Sequence, residues 1–392
     1  MAEQTLTLEQ PWEDVGLLRR IWRGRRWYGA EWYITVAGGV LLALILLMTF
    51  LAPVLAPFDP IKTVGGRFTP PGGGKQWLIA DAGNEAIQGP EDLAGRKVGV
   101  LPDTTGEVLA EELGAEVVYY PSMLKAFQGL TRRQPEVEAL IVEPEAAGNF
   151  MKTYGRFVRQ VGPPIGPTFV LGTDNLGRDI LSRIIWGARS VLLVAILSAL
   201  FSSVVGVPLG LLSGFWGGMP DRVLSLIMDS IYSFPGLILA IAMAAMLGPG
   251  VLNIAVAIAV VYIPTYFRIV RGQTLSVKEE LYVEAARSLG ARARTILWLY
   301  VFPNVIPSIV VLFSLNVADS ILTEAGLSFL GLGLPPPTPD WGFDLNKGKA
   351  YLPNGYWWPI TFPGLMITLV ALSFSLLGEG LGEILNPRLT ES

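Results

Sequence analysis

The sequence predicts a mostly α-helical membrane protein in which an α/β domain is inserted after the first of six spanning helices. Three observations carry this. The 392 residues are 51% hydrophobic and only 16% charged, where an ordinary soluble chain is about one quarter charged. Six apolar stretches approach the about 20 residues that a helix needs to cross a bilayer, at 32–54, 191–212, 223–247, 251–269, 302–321 and 360–381. Between the first two, from residue 76 onward, short apolar runs alternate with helical patterns in a soluble composition.

The first stretch is too long and too far from the start for a cleaved signal peptide. Ahead of it, Arg19, Arg20, Arg23, Arg25 and Arg26 predict a cytoplasmic N-terminal segment, 1–31, by the excess of basic residues in cytoplasmic loops. Alternation from there puts Arg268, Arg271, Lys278, Arg287, Arg292 and Arg294 inside as well, together with the C-terminus, and the α/β insertion outside. Arg178, Arg183 and Arg189 fall outside and run against the rule, after a long translocated segment where the rule is weak. In the third stretch Ser230, Ser233 and Pro235 predict a local opening, because proline removes a backbone donor. Asp229 and Asp319 lie within the spans. A carboxylate at mid-span costs about 2.5–3.5 kcal/mol, so both are expected to face the bundle or water. They either line a path, with Ser230 and Ser233, or satisfy neighbouring helices.

The chain contains no Cys and no His, which excludes disulfides, thiolate and imidazole chemistry and the commonest transition-metal ligands; no metal site is expected. The net charge of −4 does not imply nucleic acid. Gly72-Gly73-Gly74-Lys75 is followed by Gln76 rather than Ser or Thr, so no P-loop is present.

The loop 271–301 is polar between two apolar runs. Within it Ser276 and Glu279 read as a capping box opening a helix, and Gly290 as the residue that ends it in the left-handed conformation. A second short helix is expected over 293–299. Glu284-Ala285-Ala286-Arg287-Ser288-Leu289-Gly290, followed by Pro303, fits either a solvated loop helix or a docking element with small residues on one face. The run resembles the Glu-Ala-Ala loop of permease subunits of ATP-binding-cassette importers. Ahead of the second span, Gly172-Thr173-Asp174-Asn175-Leu176-Gly177-Arg178-Asp179 resembles the segment typical of the second, C-type, permease of dipeptide, oligopeptide and nickel importers, and it equally suits a charged turn and helix cap. Beyond the fifth span, Glu324 to Gly333 with Pro335-Pro336-Pro337 and Pro339-Asp340-Trp341-Gly342 also resembles that family. Its glycines and prolines predict a compact irregular loop.

The resemblance covers 30–56 and 166–390 and implies the type I importer permease fold, without enzymatic activity in this chain. It implies that Glu284 is a polar anchor for an ATPase subunit, with Ala285, Ala286 and Gly290 as close-packing contacts. It implies two ATPase subunits that bind ATP and Mg, a homologous second permease, and an extracytoplasmic substrate-binding protein. Peptides are the implied solutes, with nickel or another small solute as the alternative. No cofactor is expected in this chain.

The family has a short connection where this chain has the insertion, 57–165. Its expected strands are 76–80, 97–101, 116–120, 137–142 and 157–161, and their alternation with helices predicts a parallel sheet covered on both faces. Glycine- and proline-rich flanks leave a core of about 74–163. Pro90 to Val100, Thr104-Thr105-Gly106 and Glu138 to Pro144 resemble the second lobe of amino-acid-type periplasmic binding proteins. Thr104 and Thr105 at a helix N-terminus offer donors suited to a carboxylate, and Glu143 stands where that family has an Asp for an ammonium group. The lobe is either a ligand site or a structural and docking element. A ligand-gated channel also joins a binding lobe to membrane helices, but it needs both lobes and a pore-loop filter, and an ion-driven transporter has no use for the Glu-Ala-Ala loop.

Overall fold

The computed structural model describes residues 17–384, with side chains of 17–31 outside the description. The side chains of the basic residues that predict a cytoplasmic N-terminus, and the C-terminal residues beyond 384, therefore lie outside the description. Helix α1 (Leu17–Phe50) and the single turn α2 (Ala52–Leu55) lead into the insertion, which contains β1 (Trp77–Asp81), β2 (Lys97–Val100), α3 (Thr105–Glu112), β3 (Glu116–Tyr119), α4 (Met123–Leu130), β4 (Ala139–Val142), α5 (Pro144–Tyr154) and β5 (Val158–Gln160). The bundle resumes with α6 (Ile180–Trp216), α7 (Gly218–Tyr232), α8 (Gly236–Leu247), α9 (Val251–Val277), α10 (Leu281–Ser288), α11 (Ala293–Thr295), α12 (Phe302–Phe329), α13 (Trp341–Lys349) and α14 (Trp358–Ile384).

Among the described residues five stretches are long and apolar enough to cross a bilayer: Trp32–Phe50, Ile180–Trp216, Val251–Val277, Ala293–Phe329 and Trp358–Gly382. The third expected span is a broken one. Helices α7 and α8 meet at a bend of 89°, where Pro235 supplies no N–H and the Ser233 hydroxyl donates to the Ser230 carbonyl at 2.7 Å. Such breaks are tolerated at membrane depth where hydroxyls and neighbouring helices satisfy the freed backbone. Helix α6 starts eleven residues before the expected 191 because Asp179 caps it, its carboxylate accepting from the Ser182 N–H at 2.7 Å. Arg183 and Arg189 thus lie in its first turns, not in a loop before it.

Helices α6 and α9 form the centre of the bundle, and a stripe of small residues lets their backbones meet. A Cβ on Gly206 would lie 2.5 Å from the Tyr266 Cβ, on Gly210 2.7 Å from the Phe267 carbonyl, and on Gly214 2.8 Å from the Arg271 carbonyl. Positions rise together along both helices, so the two run parallel. Ser202 continues the stripe by donating to the Ala259 carbonyl at 3.1 Å. In lipid, where apolar burial does not drive helix association, close packing of this kind and interhelical hydrogen bonds do. Gly38 against Leu377, and Gly380 against Thr35, join α1 to α14 antiparallel in the same way.

All five expected strands are present, but the sheet is mixed. Its order is β3-β2-β4-β1-β5, with β2 parallel to β3 and β4, and β1 antiparallel to β4 and β5. The antiparallel pairing of β1 with β5 has a physical reason: it sets the chain's entry and exit side by side, where the bridge Gln76↔Ile165 closes them. A parallel β1 would have left them at opposite ends. Apolar residues cover both faces, one packed on Leu109 and Ala110 of α3, the other on Phe127 of α4 and Ala147 of α5.

Gly210→Val forces α6 off α9 and is expected to cost about 1–3 kcal/mol through overpacking, read as a lower thermal unfolding midpoint of the detergent-solubilised protein. Gly272→Ala, where an added Cβ meets nothing within 4 Å, serves as the control and should leave the midpoint unchanged or slightly raised.

Candidate functional site

At the end of the bundle away from the sheet domain, α10 projects as a short helix. It is not opened by Ser276 and Glu279: α9 continues through Ser276 to Val277, and Glu280 is the N-cap of α10. Gly290 ends the helix as expected, at φ +83°. Its N–H donates to the Arg287 carbonyl and that of Ala291 to the Ala286 carbonyl, both at 3.0 Å, the paired bonds of a Schellman turn. Val283 turns inward onto Ile296, Leu297 and Val301, and Ala286 is buried as well, so both are covered by their own chain. Glu284 and Ala285 face out. Beside them Leu281 is 81% and Leu289 89% exposed, a bare apolar pair flanking the acidic residue. Sequence reasoning missed both leucines, although apolar residues in an otherwise polar loop were the available signal. The second helix is not separate either. Helix α11 passes through a π-helical segment, Ile296–Val301, straight into α12. Pro303 has no N–H for the Leu299 carbonyl, and the wider turn, with Phe302 N–H bonded to the Leu297 carbonyl, absorbs the mismatch.

At the opposite end, the motif 172–179 is a hydrogen-bonded knot. The Asp174 carboxylate accepts from the N–H groups of Leu176 at 2.8 Å and Arg178 at 3.0 Å, and from the Arg178 guanidinium at 2.7 Å. Gly172 and Gly177 have φ of +79° and +70°; Gly172 also approaches the Thr69 carbonyl so closely that a Cβ would lie 2.5 Å from it. Burial pushes the Asp179 carboxyl above its usual range, against the lowering pull of its bonds to Ser182 and the Leu181 N–H. Arg183, only 2% exposed, grips Asp344 of α13 with two bonds of 3.0 and 2.6 Å and donates to the Pro60 carbonyl at 3.0 Å. Arg189 donates to the Thr49 carbonyl at 2.9 Å and that of Phe50 at 3.3 Å. The three arginines that offended the charge rule are therefore paired or spent on α1's last carbonyls.

Glu324 belongs to α12, which runs on to Phe329, so the irregular loop begins later than expected. Leu330 and Gly331 end the helix, and the prolines follow. Glu324 is fully buried and accepts from the Ser328 hydroxyl at 2.9 Å, while that hydroxyl also lies 2.7 Å from Asp340. Asp340 caps α13 through the Phe343 N–H at 3.0 Å. Trp341 beside it donates to the Ile184 carbonyl at 3.1 Å and packs against Gly187, tying the loop to α6.

The lobe's expected ligand residues are placed differently from an open cradle. Thr105 is fully buried, and its hydroxyl accepts from the Gly66 N–H at 2.9 Å and lies 3.3 Å from the Thr69 hydroxyl. Thr104 donates to the Leu101 carbonyl at 2.7 Å. Arg67 adds a backbone bond to the Asp103 carbonyl at 2.9 Å and an ion pair with its carboxylate at 3.1 Å. The chain's own strap, 64–74, thus covers the N-terminus of α3. On its other side the strap is held by the knot: Thr173 donates to the Gly66 carbonyl at 2.6 Å, accepts from Thr69 N–H at 2.8 Å, and the Asp174 carbonyl accepts from Phe68 at 3.1 Å. Glu143 stands apart, exposed at the end of β4 as the N-cap position of α5.

Within the spans, Asp229 is exposed and pairs with Arg268 at 2.9 Å, whose guanidinium lies 4.3 Å from the centre of the Tyr232 ring. Ser230 and Ser233 spend their hydroxyls on backbone carbonyls. Asp319 lines a hollow of about 460 Å³ between the α7–α8 elbow, α9 and α12, with Asn316 one turn away. Of the four residues expected along a path, it alone reaches this hollow.

A bundle of spans with one broken helix, a projecting helix at one end and a hydrogen-bonded knot at the other is compatible in build with a membrane permease. The chain belongs to the family of binding-protein-dependent transport system inner membrane components, whose family model matches residues 206–391. A glutathione transport system permease protein of Pectobacterium atrosepticum is 47% identical over 219 residues, 56% of this chain and 72% of that protein. A di/tripeptide transport system permease protein of Pseudomonas aeruginosa is 41% identical over 56% of this chain and 73% of its own. The solved MetNI methionine transporter aligns over 52% of this chain and 96% of that chain at 18% identity and a TM-score of 0.42.

Arg183→Ala strands the Asp344 carboxylate in the interior and is expected to cost about 3–5 kcal/mol, whereas Arg183→Lys, which keeps the charge but loses the two-pronged grip, should cost less. Thermal unfolding of the purified membrane protein compares the two.

Proposed function

We propose that this chain is one of two homologous permeases of an ATP-driven importer for peptides, lining half of the path and receiving force through α10. The observation that carries the reading is the outward face of α10, where Glu284 and Ala285 stand between two leucines left in water. Exposed apolar side chains around a charged anchor are what a docking helix offers a groove. The peptide assignment follows the glutathione and di/tripeptide systems named for the relatives. ATP and Mg belong to the partner ATPase subunits, and this chain contributes no catalytic step. The solute reaches it from an external binding protein.

Charge supports a cytoplasmic α10. Arg222, Lys278, Arg287, Arg292 and Arg294 gather at its end of the bundle, while the arginines at the lobe end are neutralised locally by Asp174, Asp344 and the carbonyls of α1. An excess of Lys and Arg in short loops near the span ends is what orients a polytopic chain, and a long segment such as the lobe escapes that rule. On this reading the lobe stands outside, beside the Gly172–Asp179 knot and the Glu324 loop at the mouth of the path.

The lobe acts as a fixed strut, not a clamp. Its α3 N-terminus, which the ligand reading needs open, is occupied by Gly66 and Arg67 of the strap. Calorimetry of the full-length protein with amino acids and short peptides should therefore give no lobe-dependent heat. Thr105→Ala should loosen the strap instead, seen as faster limited proteolysis within 64–74. A saturable heat abolished by Thr105→Ala would restore the ligand reading.

In the assembled importer, Glu284→Arg should lower ATP-driven uptake by about tenfold, the factor supplied by about 1.4 kcal/mol of docking energy. Gly290→Pro, which cannot adopt φ +83°, should do at least as much. Unchanged uptake in both, measured in proteoliposomes, would remove the coupling role.

A further inference from the structure

The hollow beside Asp319 holds an unbalanced set of polar groups. The Asp319 carboxylate has no ion-pair or hydrogen-bond partner among the described residues, its backbone carbonyl alone being taken by Thr323. One turn earlier Asn316 is only 3% exposed, and its Oδ1 is sealed from water with no donor. Residues three apart on a helix share a face, and both line the hollow. No Lys or Arg does. The Asp319 carboxylate thus faces a space whose lining brings no cation of its own. A buried acceptor without a donor is costly, and an intramembrane carboxylate marks a place where a counter-ion is expected.

The walls narrow the choice of cation. At about 460 Å³ the hollow is the size of a small-molecule site, far larger than a bare metal ion needs. Tyr232, Phe234 and Tyr262 contribute aromatic surface, which attracts cations over its faces. The Tyr232 ring already accepts the Arg268 guanidinium. A primary ammonium on an organic body matches the set: positive charge and N–H donors for Asp319, aromatic faces beside it, and a carbon skeleton for the apolar wall.

We propose that Asp319, on the wall that Asn316 also lines, forms a subsite in the translocation path that selects solutes carrying a primary ammonium group. The subsite rests on the reading of the chain as a permease, yet its test needs no ATP and no binding protein. The chain has no cysteine, so Thr265→Cys on the α9 wall of the hollow places a single reporter thiol in it. In membranes carrying the assembled importer, labelling of this chain is compared between an ammonium-bearing and a sulfonate-bearing methanethiosulfonate, each relative to its rate with free cysteine. The ammonium reagent should be favoured by about tenfold or more through local field focusing. That preference should collapse in the Thr265→Cys, Asp319→Asn double variant and persist with Asp319→Glu. Glycylglycine should protect the thiol, and N-acetylglycylglycine should not. Protection by 1,5-diaminopentane as well supports the ammonium subsite and extends it to side-chain amines. Equal rates for the two reagents in Thr265→Cys, or equal protection by the free and acetylated peptides, overturns the proposal. The protection arm uses Thr265→Cys alone and stands even if the Asp319 variants do not fold. Failure here with uptake still dependent on Glu284 would leave the permease reading intact.

Discussion

The Asp174 carboxylate is the contact on which both halves of the molecule depend. It is nearly sealed from water and accepts from two backbone N–H groups and the Arg178 guanidinium, so its charge is matched and its lone pairs are used. That fixes the turn 172–179. The turn in turn positions Thr173 and the Asp174 carbonyl for the strap and Asp179 for the start of α6. Because the strap also grips Thr105 and Asp103 of the lobe, a soluble domain and a membrane bundle share one rigid piece of backbone. Breaking a hydrogen-bonded buried charge costs far more than a surface pair contributes, which is why this small motif can hold two bodies together.

Most of the membrane architecture was legible because the bilayer leaves few choices: an apolar run of sufficient length must become a helix. The break after Tyr232 was also readable, from Ser233 and Pro235. Helix ends were not. Ser276 resembles a cap, but α9 had enough packing along its buried face, through Val270 and Thr274, to propagate past it. Glu324 to Phe329 contains one glycine, and the true breakers, Gly331 and the prolines, come only afterwards. Strand positions in the lobe followed from their apolar runs, yet alternation of strands and helices says nothing about the direction of β1, which long-range pairing with β5 decides. The same limit explains Thr105. Its helix N-terminus was visible locally, and the strap that covers it is distant in sequence.

The hollow and α10 lie at different heights of a continuous framework. Helix α9 lines the hollow with Tyr262 and Thr265 and ends at the loop that carries Glu284. Helix α12 lines it with Asn316 and Asp319 and returns to the same loop through the π-helical turn. Val283 of α10 is packed onto that turn, so α10 meets the start of α12 through contact and not only through a flexible linker. Close-packed interiors pass shifts on as rigid bodies.

The side-by-side strands that open and close the lobe make it a removable part. With Gln76 and Ile165 already paired, and neighbouring strands only about 5 Å apart, a chain lacking everything between them needs no new connection to bridge the gap. Acquisition or loss of such a domain leaves the register of the bundle untouched. Evolution can therefore alter what stands at this end of the permease without renegotiating how the helices fit.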